Sequence, residues 1–309
     1  MVINVLILVA IVGNSYLVLR SFLSLSRKLS QINSRLVKNE ALTKQLSDTT
    51  LRVESISNIQ MLQLLPQSEL KYHLAFTSHS ARFETLSQFV EGIHAQILKP
   101  SRITLTLAKG DLENISVPLL EKLKQSGIEI CQTEDLGPGK KLIPLLSTQD
   151  LPIIVVDDDL ILAPDLTLQL MIQHSIYPKS IIASRAHLIT RNETGDLLPY
   201  GQWKKQVTDY NGPQADLFAT SGAGTLFPKN ALHPDVLDTK LYCELAFYTD
   251  DLWWHIHARR NGTVVRRIPG LRELVFLPGS QEAALWNTGN KVRNDENISL
   301  LINRFGEFF

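Results

Sequence analysis

The feature that most constrains this chain is an acidic triplet, Asp157-Asp158-Asp159, placed directly after the apolar run 153–156. Four consecutive aliphatic residues predict a strand that is buried in a sheet. Ionised carboxylates a few Å apart repel one another, so the triplet needs a proton, a paired cation or a metal ion. Carboxylate oxygens favour Mg²⁺ or Mn²⁺, and open α/β sheets bind ligands at the carboxyl ends of their strands. The sequence therefore predicts a metal and ligand site at this strand end.

The spacing within the triplet predicts which of its side chains point in the same direction. Alternate side chains of an extended segment point the same way. We therefore expect Asp157 and Asp159 to share one metal site, with Asp158 facing elsewhere. Spacing alone leaves open which of them touches the metal, and a surface acidic turn is the alternative.

Composition excludes some classes of function. The 309 residues carry 31 basic and 31 acidic side chains. The chain therefore lacks the excess of basic residues that would indicate a nucleic acid partner. The two cysteines, Cys131 and Cys243, form neither a metal-ligand spacing nor a disulfide framework. We expect them to be inert thiols in the core.

The N-terminal segment predicts attachment to a membrane. Residues 2–19 include no charged side chain, and 18 residues lie at the short end of the spanning range of about 17–25. We assign 1–20 as a single-pass anchor, with a signal peptide or a buried helix as alternatives. Basic residues follow the span and none precedes it, which places the remainder on the cytoplasmic side. Glycosylation sequons at Asn114, Asn192, Asn261 and Asn297 keep a lumenal orientation open.

The next segment, 21–66, predicts a helical stalk. Apolar residues recur at steps of three and four, and neither Pro nor Gly occurs between Gly13 and Pro66. A loose coiled coil would allow self-association, whereas a single solvated helix would not. Pro66 ends the segment, so we assign 67–309 to a catalytic domain.

This domain predicts an α/β fold. Strands are expected at 72–77, 103–107, 128–132, 153–156 and 180–186, and helices at 83–98, 117–126, 140–146 and 165–174. Such alternation implies a mostly parallel sheet that is covered by helices on both faces.

A second acidic pair, Asp250-Asp251, precedes two tryptophans at 253 and 254. Carboxylates next to indoles are partly desolvated, which raises the pKa and suits a general base. Helix capping alone by Thr249 or Asp250 is the alternative. His255 and His257 lie two positions apart, on different faces of the expected helix, which argues against a paired metal site.

Three further segments have compositions that suit a ligand. The run 220–225 consists of small residues that let a ligand approach the main chain, although a tight turn would have the same composition. The loop 134–141 places lysines before a helix, where they can offset phosphate charge, but it lacks the P-loop spacing. Thr77 ends the first predicted strand, with Ser78 and Arg82 beyond it; these side chains suit a nucleotide, or else form a polar loop.

Taken in order along 71–309, these segments resemble a GT-A glycosyltransferase of the family-2-like kind found in polysaccharide and glycan synthesis. The triplet is similar to the DxD signature, and Asp250-Asp251 lies where such enzymes carry a base. The resemblance implies a Rossmann-like GT-A domain with a mixed, mostly parallel sheet, Asp251 or Asp250 as the catalytic base, and metal at Asp157 and Asp159. The residues implied for nucleotide-sugar binding are Thr77, Ser78, Arg82, Asp135, Lys140, Lys141, Asp157 and Asp158. Those implied on the acceptor side are Trp203, Gly222, Ala223, Gly224 and Trp253.

The implied reaction is metal-dependent transfer of a sugar, with Mn²⁺ or Mg²⁺ as cofactor. The donor would be a nucleotide sugar, UDP-linked, and the acceptor a glycan or another hydroxyl compound, with inversion at the anomeric carbon. A nucleotidyltransferase or phosphohydrolase that uses the same acidic strand end is one alternative. A catalytically inactive, membrane-anchored scaffold is the other.

Overall fold

The computed structural model of the protein describes residues 70–270, 273–280 and 290–309. The predicted anchor (1–20) and stalk (21–66) lie outside these residues. Within the described part of the chain, no helix is long and apolar enough to cross a bilayer.

A seven-stranded sheet organises the domain, in the order β3-β2-β1-β4-β8-β5-β9, and β6 and β7 form a separate pair. The strands are β1 (His73–Thr77), β2 (Arg102–Ala108), β3 (Glu129–Thr133), β4 (Ile153–Val155), β5 (Ile181–Ala183), β6 (Ala186–Leu188), β7 (Leu217–Ala219), β8 (Thr225–Phe227) and β9 (Val265–Arg267). Within the sheet β8 runs antiparallel to both of its neighbours, and the other six strands share one direction. The carboxyl ends of these six therefore lie at one edge, together with the start of β8.

Helices cover both faces of this sheet. They are α1 (Leu86–His94), α2 (Lys109–Asn114), α3 (Val117–Gln125), α4 (Ile143–Leu146), α5 (Leu166–Ile176), α6 (Thr239–Leu245), α7 (Asp250–Arg260) and α8 (Asn290–Phe305). One core contains residues of α1, α3 and α5, and the other contains residues of α4, α6, α7 and α8. This arrangement confirms the predicted α/β class with a mixed, mostly parallel sheet, and it fits the GT-A architecture that the resemblance implied.

Strand β4 shows why continuous apolar runs form the centre of the sheet. Ile153 and Val155 pack into one core, and Ile154 and Val156 pack into the other. Because side chains alternate between faces, a strand covered on both sides needs apolar residues at every position. All four residues are fully buried.

Three expected elements differ from the structure. The helix predicted at 83–98 ends at His94, because the buried Gln96 side chain turns away and donates to the Ala163 carbonyl. The strand predicted at 180–186 divides into β5 and β6, because Ser184 turns to donate to the Ala223 carbonyl. The helix predicted at 140–146 is a 3₁₀ turn, Gly137–Lys141, followed by α4.

The cysteines also depart in part from expectation. Both Cys131 and Cys243 are free thiols. Neither lies in the core, because Cys243 is exposed and Cys131 is only partly buried. The prediction of core thiols was therefore wrong in its placement.

Candidate functional site

The acidic triplet lies at the carboxyl edge of the sheet, directly after β4. The strand ends at Val155, and Asp158 and Asp159 form a turn. The N–H of Asp157 donates to the Gly222 carbonyl over 2.9 Å, which joins this strand end to the segment that precedes β8. Loops from both sides of β4 therefore meet at the triplet.

The three carboxylates divide differently from the prediction. Arg82 holds Asp158 and Asp159 together, with Nη1 2.6 Å from Asp158 Oδ1 and Nη2 3.1 Å from Asp159 Oδ2. Asp157 instead pairs with Lys141, whose Nζ lies 2.7 Å from its Oδ1. Asp158 therefore does not face away from Asp159, because strand alternation stops where the turn begins, and the shared metal site of Asp157 and Asp159 stays a prediction.

The fork of Arg82 compensates two adjacent acids. Desolvation by itself would lower the pKa of Arg82, but the charges of Asp158 and Asp159 reverse this effect and raise it. A planar guanidinium with parallel N–H groups suits two neighbouring carboxylates better than a point charge does. Oδ2 of Asp158 is buried without a hydrogen-bond partner among the described residues.

Lys141 connects the triplet to the second acidic pair. Its side chain is 3% exposed, and its Nζ lies 2.7 Å from Asp157 and 3.0 Å from Asp250. Burial alone would lower the pKa of this lysine, yet the carboxylates of Asp157, Asp250 and Asp251 raise it above its usual value. Lys141 is therefore a permanent cation between the two acidic groups.

The acidic pair opens α7, where the helix dipole favours negative charge. Oδ2 of Asp250 accepts from Trp254 Nε1 over 3.3 Å. Oδ1 of Asp251 accepts from the N–H of Ser221 (2.9 Å) and from its hydroxyl (2.5 Å). Thr249 occupies the N-cap position without a capping side-chain bond. These partners argue against capping as the sole role of the pair.

The pKa of Asp251 is raised to about 7. Desolvation is the main cause, the neighbouring charge of Asp250 adds to it, and Lys141 and Ser221 partly oppose it. A carboxylate that titrates near neutral pH can accept a proton during a reaction at that pH. Because the side chain keeps some solvent exposure, it is accessible as a base.

The small residues before β8 have a structural explanation. A Cβ atom on Gly222 would lie 1.7 Å from Asp157 Oδ2, so this glycine admits the Asp157 carboxylate. Gly224 has a φ of +108°, which favours glycine. The Ala223 carbonyl accepts from the Ser184 hydroxyl over 2.6 Å. The predicted ligand contacts at these positions remain predictions.

The residues predicted to bind the nucleotide lie at or near the same edge. Thr77 donates its hydroxyl to the Thr106 carbonyl over 2.7 Å, whereas the Ser78 hydroxyl is buried without a partner among the described residues. Asp135 accepts from the Gly137 N–H (2.9 Å) and from Lys140 (2.8 Å). Partial burial opposes the shift, but these two bonds lower the pKa of Asp135.

The two tryptophans predicted on the acceptor side lie in the core. Trp253 is completely buried, and its Nε1 donates to the Val236 carbonyl over 3.1 Å. Trp203 is 2% exposed and packs against Phe218. Neither indole presents a surface to a bound molecule, so we do not retain them as acceptor contacts.

Two residues of this site, Ser221 and Arg185, were not identified from the sequence. Ser221 lay inside the small-residue run, but nothing in the sequence showed that it would bind Asp251. Arg185 follows β5 at the carboxyl edge, and its Nη1 donates to Thr220 Oγ1 over 3.0 Å. The signal that could have indicated Arg185 was a charged residue at the carboxyl end of an apolar strand.

The donor atoms at this edge suit a hard cation, although the described residues include no group of three or more His, Cys, Asp or Glu arranged to hold a metal. Mg²⁺ usually binds through one or two carboxylates and completes its shell with water and substrate phosphates. The Asp157 carboxylate fits this role because it is 42% exposed. Metal binding by Asp157 and Asp159 stays a prediction.

Comparison with known proteins gives no family assignment. No protein-family model matches the chain, and no curated protein matches it significantly. Among solved structures, TarS 1-349 of S. aureus in complex with UDP is 13% identical, with a TM-score of 0.43 over 66% of this chain and 59% of that one. A second structure of TarS 1-349 is 12% identical, with a TM-score of 0.47 over 75% and 64%.

A third similar structure is 4-diphosphocytidyl-2C-methyl-D-erythritol synthase, at 12% identity and a TM-score of 0.42, over 73% of this chain and 98% of that one. The chain thus spans only 59% and 64% of the two TarS 1-349 structures. At these values the similarities carry no argument about what this chain does. Its function has to be inferred from its own residues.

Proposed function

We propose that the chain is a glycosyltransferase that moves a sugar from a nucleotide-sugar donor, UDP-linked, to a hydroxyl group of a glycan or other acceptor. The observation that carries this proposal is the linkage of the two acidic groups by Lys141. Its ammonium contacts Asp157 at the end of β4 and Asp250 at the start of α7, next to Asp251. A donor-side acid and an acid suited to act as a base are therefore held at one edge of the sheet.

In this proposal Asp251 is the general base. Its carboxylate takes the proton of the acceptor hydroxyl while that oxygen forms a bond to the anomeric carbon. The bond from this carbon to the nucleoside diphosphate breaks, and the diphosphate leaves with the electron pair. Attack from the side opposite to the leaving group inverts the configuration. Ser221 fixes the base by donating two hydrogen bonds to one carboxylate oxygen, so the other oxygen is available for the proton.

Asp157, with Asp159 as the second predicted ligand, would hold Mn²⁺ or Mg²⁺. When bound, the cation would stabilise the negative charge that develops on the departing diphosphate. Lys141 holds Asp157 in place through an ion pair, and Arg82 does the same for Asp158 and Asp159. Thr77, Ser78, Asp135 and Lys140 remain the proposed surroundings of the nucleotide.

The test is a donor hydrolysis and transfer assay on the full chain with a panel of UDP-sugars. We expect turnover that EDTA abolishes and Mn²⁺ restores. Asp251→Asn should lower kcat by about 10²–10⁴-fold while UDP binding persists. Asp216→Asn, a change at an exposed aspartate, is the matched control and should leave kcat unchanged.

Two results would contradict the proposal. Release of pyrophosphate from nucleoside triphosphates, without sugar transfer, would assign the site to a nucleotidyltransferase. Failure of the chain to bind either UDP or Mn²⁺ in calorimetric titrations would support the inactive scaffold instead.

We further propose that residues 1–20 anchor the protein in a membrane, with the catalytic domain facing the cytoplasm. The support comes from the uncharged segment 2–19 and the basic residues that follow it. Protease treatment of sealed vesicles should digest the domain from the cytoplasmic side. A protected domain that carries glycans would indicate the lumenal orientation.

A further inference from the structure

Two neighbouring positive side chains, one of them near Asp251, form no ion pair among the described residues. Arg185 follows β5 and donates to the Thr220 hydroxyl over 3.0 Å, but its Nε is buried with no partner in the described part of the chain. The pKa of Arg185 is lowered by desolvation, which the charge of Asp251 offsets only in part. A desolvated guanidinium without a carboxylate is costly in a folded protein.

The second cation is Lys205. Its Nζ lies 3.3 Å from the centroid of the Tyr200 ring and donates to the Tyr200 carbonyl over 2.6 Å. Partial desolvation and the charge of Arg185 lower the pKa of Lys205 to about 8, against the opposing charge of Asp295. The charges of Asp251 and Asp295 act on these cations only from beyond ion-pair distance, so both cations can still donate to a bound anion.

Arg185 lies next to the base, and Lys205 lies near Arg185 on the ring of Tyr200. Thr220 holds Arg185, and its neighbour Ser221 holds Asp251, so one short segment positions both. Arg82 forms its ion pairs with Asp158 and Asp159, whereas Arg185 binds Thr220, next to the serine that holds Asp251. A molecule that approaches the base is the acceptor. Arg185 and Lys205 are therefore placed to contact the acceptor.

We propose that Arg185 and Lys205 bind an oxyanion of the acceptor, a phosphate or a carboxylate, beside the hydroxyl that Asp251 deprotonates. The acceptor is thus a phosphorylated or acidic glycan or polyol rather than a neutral one. A guanidinium fork with an adjacent ammonium suits the oxygens of such a group. This inference rests on the proposed function, because it assigns the cations to the acceptor of that reaction.

A binding experiment tests the anion site directly. The full chain is saturated with UDP to fill the donor site, and inorganic phosphate is titrated against chloride at constant ionic strength while Tm is followed. Phosphate should raise the Tm of the unaltered chain and of Lys204→Gln, a control at the adjacent exposed lysine. Arg185→Gln should lose this shift, and Lys205→Gln should reduce it. A shift that Arg185→Gln retains, or no shift in the unaltered chain, would overturn the proposal.

A kinetic experiment tests the role of the site in acceptor choice. Each acceptor is offered as a matched set: neutral, phosphorylated, or bearing a carboxylate. The ratio of kcat/KM between anionic and neutral members should be about tenfold or more, and it should fall to about one in Arg185→Gln. Preference for phosphate or for carboxylate identifies the anion, and either supports the proposal. Equal values for neutral and anionic acceptors in the unaltered chain would overturn it.

The outcomes separate this inference from the function on which it rests. UDP binding and donor hydrolysis without a phosphate shift would overturn the anion site and leave the glycosyltransferase. A phosphate shift that depends on Arg185, in a chain that binds no UDP, would support the anion site and overturn the proposed function.

Discussion

The main chain of Gly222 lies directly against the carboxylate of Asp157. The Gly222 carbonyl accepts from the Asp157 N–H over 2.9 Å. A Cβ atom added to Gly222 would lie 1.7 Å from Asp157 Oδ2. The other oxygen, Oδ1, lies 2.7 Å from Lys141 Nζ. The glycine therefore determines where this carboxylate lies with respect to its cation.

Gly222→Ala should weaken UDP binding in the presence of Mn²⁺ by about tenfold or more, because the added methyl group displaces Asp157 from its charged hydrogen bond. Calorimetric titration of UDP with the full chain measures this effect. Gly110→Ala is the matched control, since its added Cβ has nothing within 4 Å. Equal UDP affinities in the two variants would show that donor binding does not depend on the position of the Asp157 carboxylate beside Lys141.

The central strand β4 was predictable because it is apolar at every position. The run 153–156 is fully buried, and the triplet follows it at the carboxyl edge as expected. Binary patterning describes such strands well, because both faces are covered. The later strands are only three residues long, so their patterns carried little information.

The partners of the triplet were not predictable. Arg82 lies 76 positions before Asp158, and Lys141 lies 16 before Asp157. Sequence separation does not show which cation reaches which carboxylate, because that depends on how the loops pack. The prediction for Asp157 and Asp159 relied on strand alternation, which ends at Val155.

The tryptophan predictions failed for a different reason. Helix α7 is buried on nearly every side, from Leu252 to Ala258. Because this helix has no exposed polar face, its 3.6-residue period does not predict whether Trp253 points to the core or to the site. Proximity to Asp251 in sequence then suggested a role at the site, whereas the indole packs against Tyr242 and Phe305.

Removal of the buried cation should destabilise the fold. Lys141→Met leaves Asp250 and Asp157 without their counter-charge, and we expect a loss of about 3 kcal/mol in the free energy of unfolding at pH 7. Urea denaturation measures it. Lys140→Met is the control and should cost about 1 kcal/mol, because its partner Asp135 is mostly exposed. Equal losses would contradict a special role for Lys141.

The charge explanation can be separated from simple loss of packing. If Lys141→Met acts through uncompensated charge, adding Asp250→Asn should recover part of the lost stability, since one buried negative charge disappears. The recovery should appear in the same urea midpoints. A double variant that is less stable than the single one would indicate that packing, not charge, dominates.

Activity should depend on pH through Asp251. Desolvation and Asp250 raise the pKa of Asp251 to about 7, so the base is protonated and inactive below that pH. We expect kcat/KM to rise with pH through a midpoint near 7, and Asp251→Asn to remove this limb together with most of the activity. A midpoint near 4, or a limb that persists in Asp251→Asn, would assign the base elsewhere.

Acid should destabilise the protein through its buried histidines. His255 shows in which direction the free energy of unfolding changes with pH. Burial, followed by the charge of Arg259, lowers the pKa of His255 to about 3, whereas the unfolded chain titrates near 6.5. Between these values the unfolded state binds a proton that the folded state does not. The stabilising contribution of neutral His255 is therefore complete above pH 6.5 and is lost as pH falls.

His255→Phe should weaken this acid sensitivity, because a phenyl ring can occupy the space between Phe218 and Phe309 without taking up a proton. The loss of unfolding free energy between pH 7.5 and pH 5 should shrink by about 2 kcal/mol. Urea denaturation at the two pH values measures the difference. His94→Phe, at an exposed position, should leave the pH dependence unchanged. If both variants show the pH dependence of the unaltered chain, protonation of His255 does not limit stability in acid.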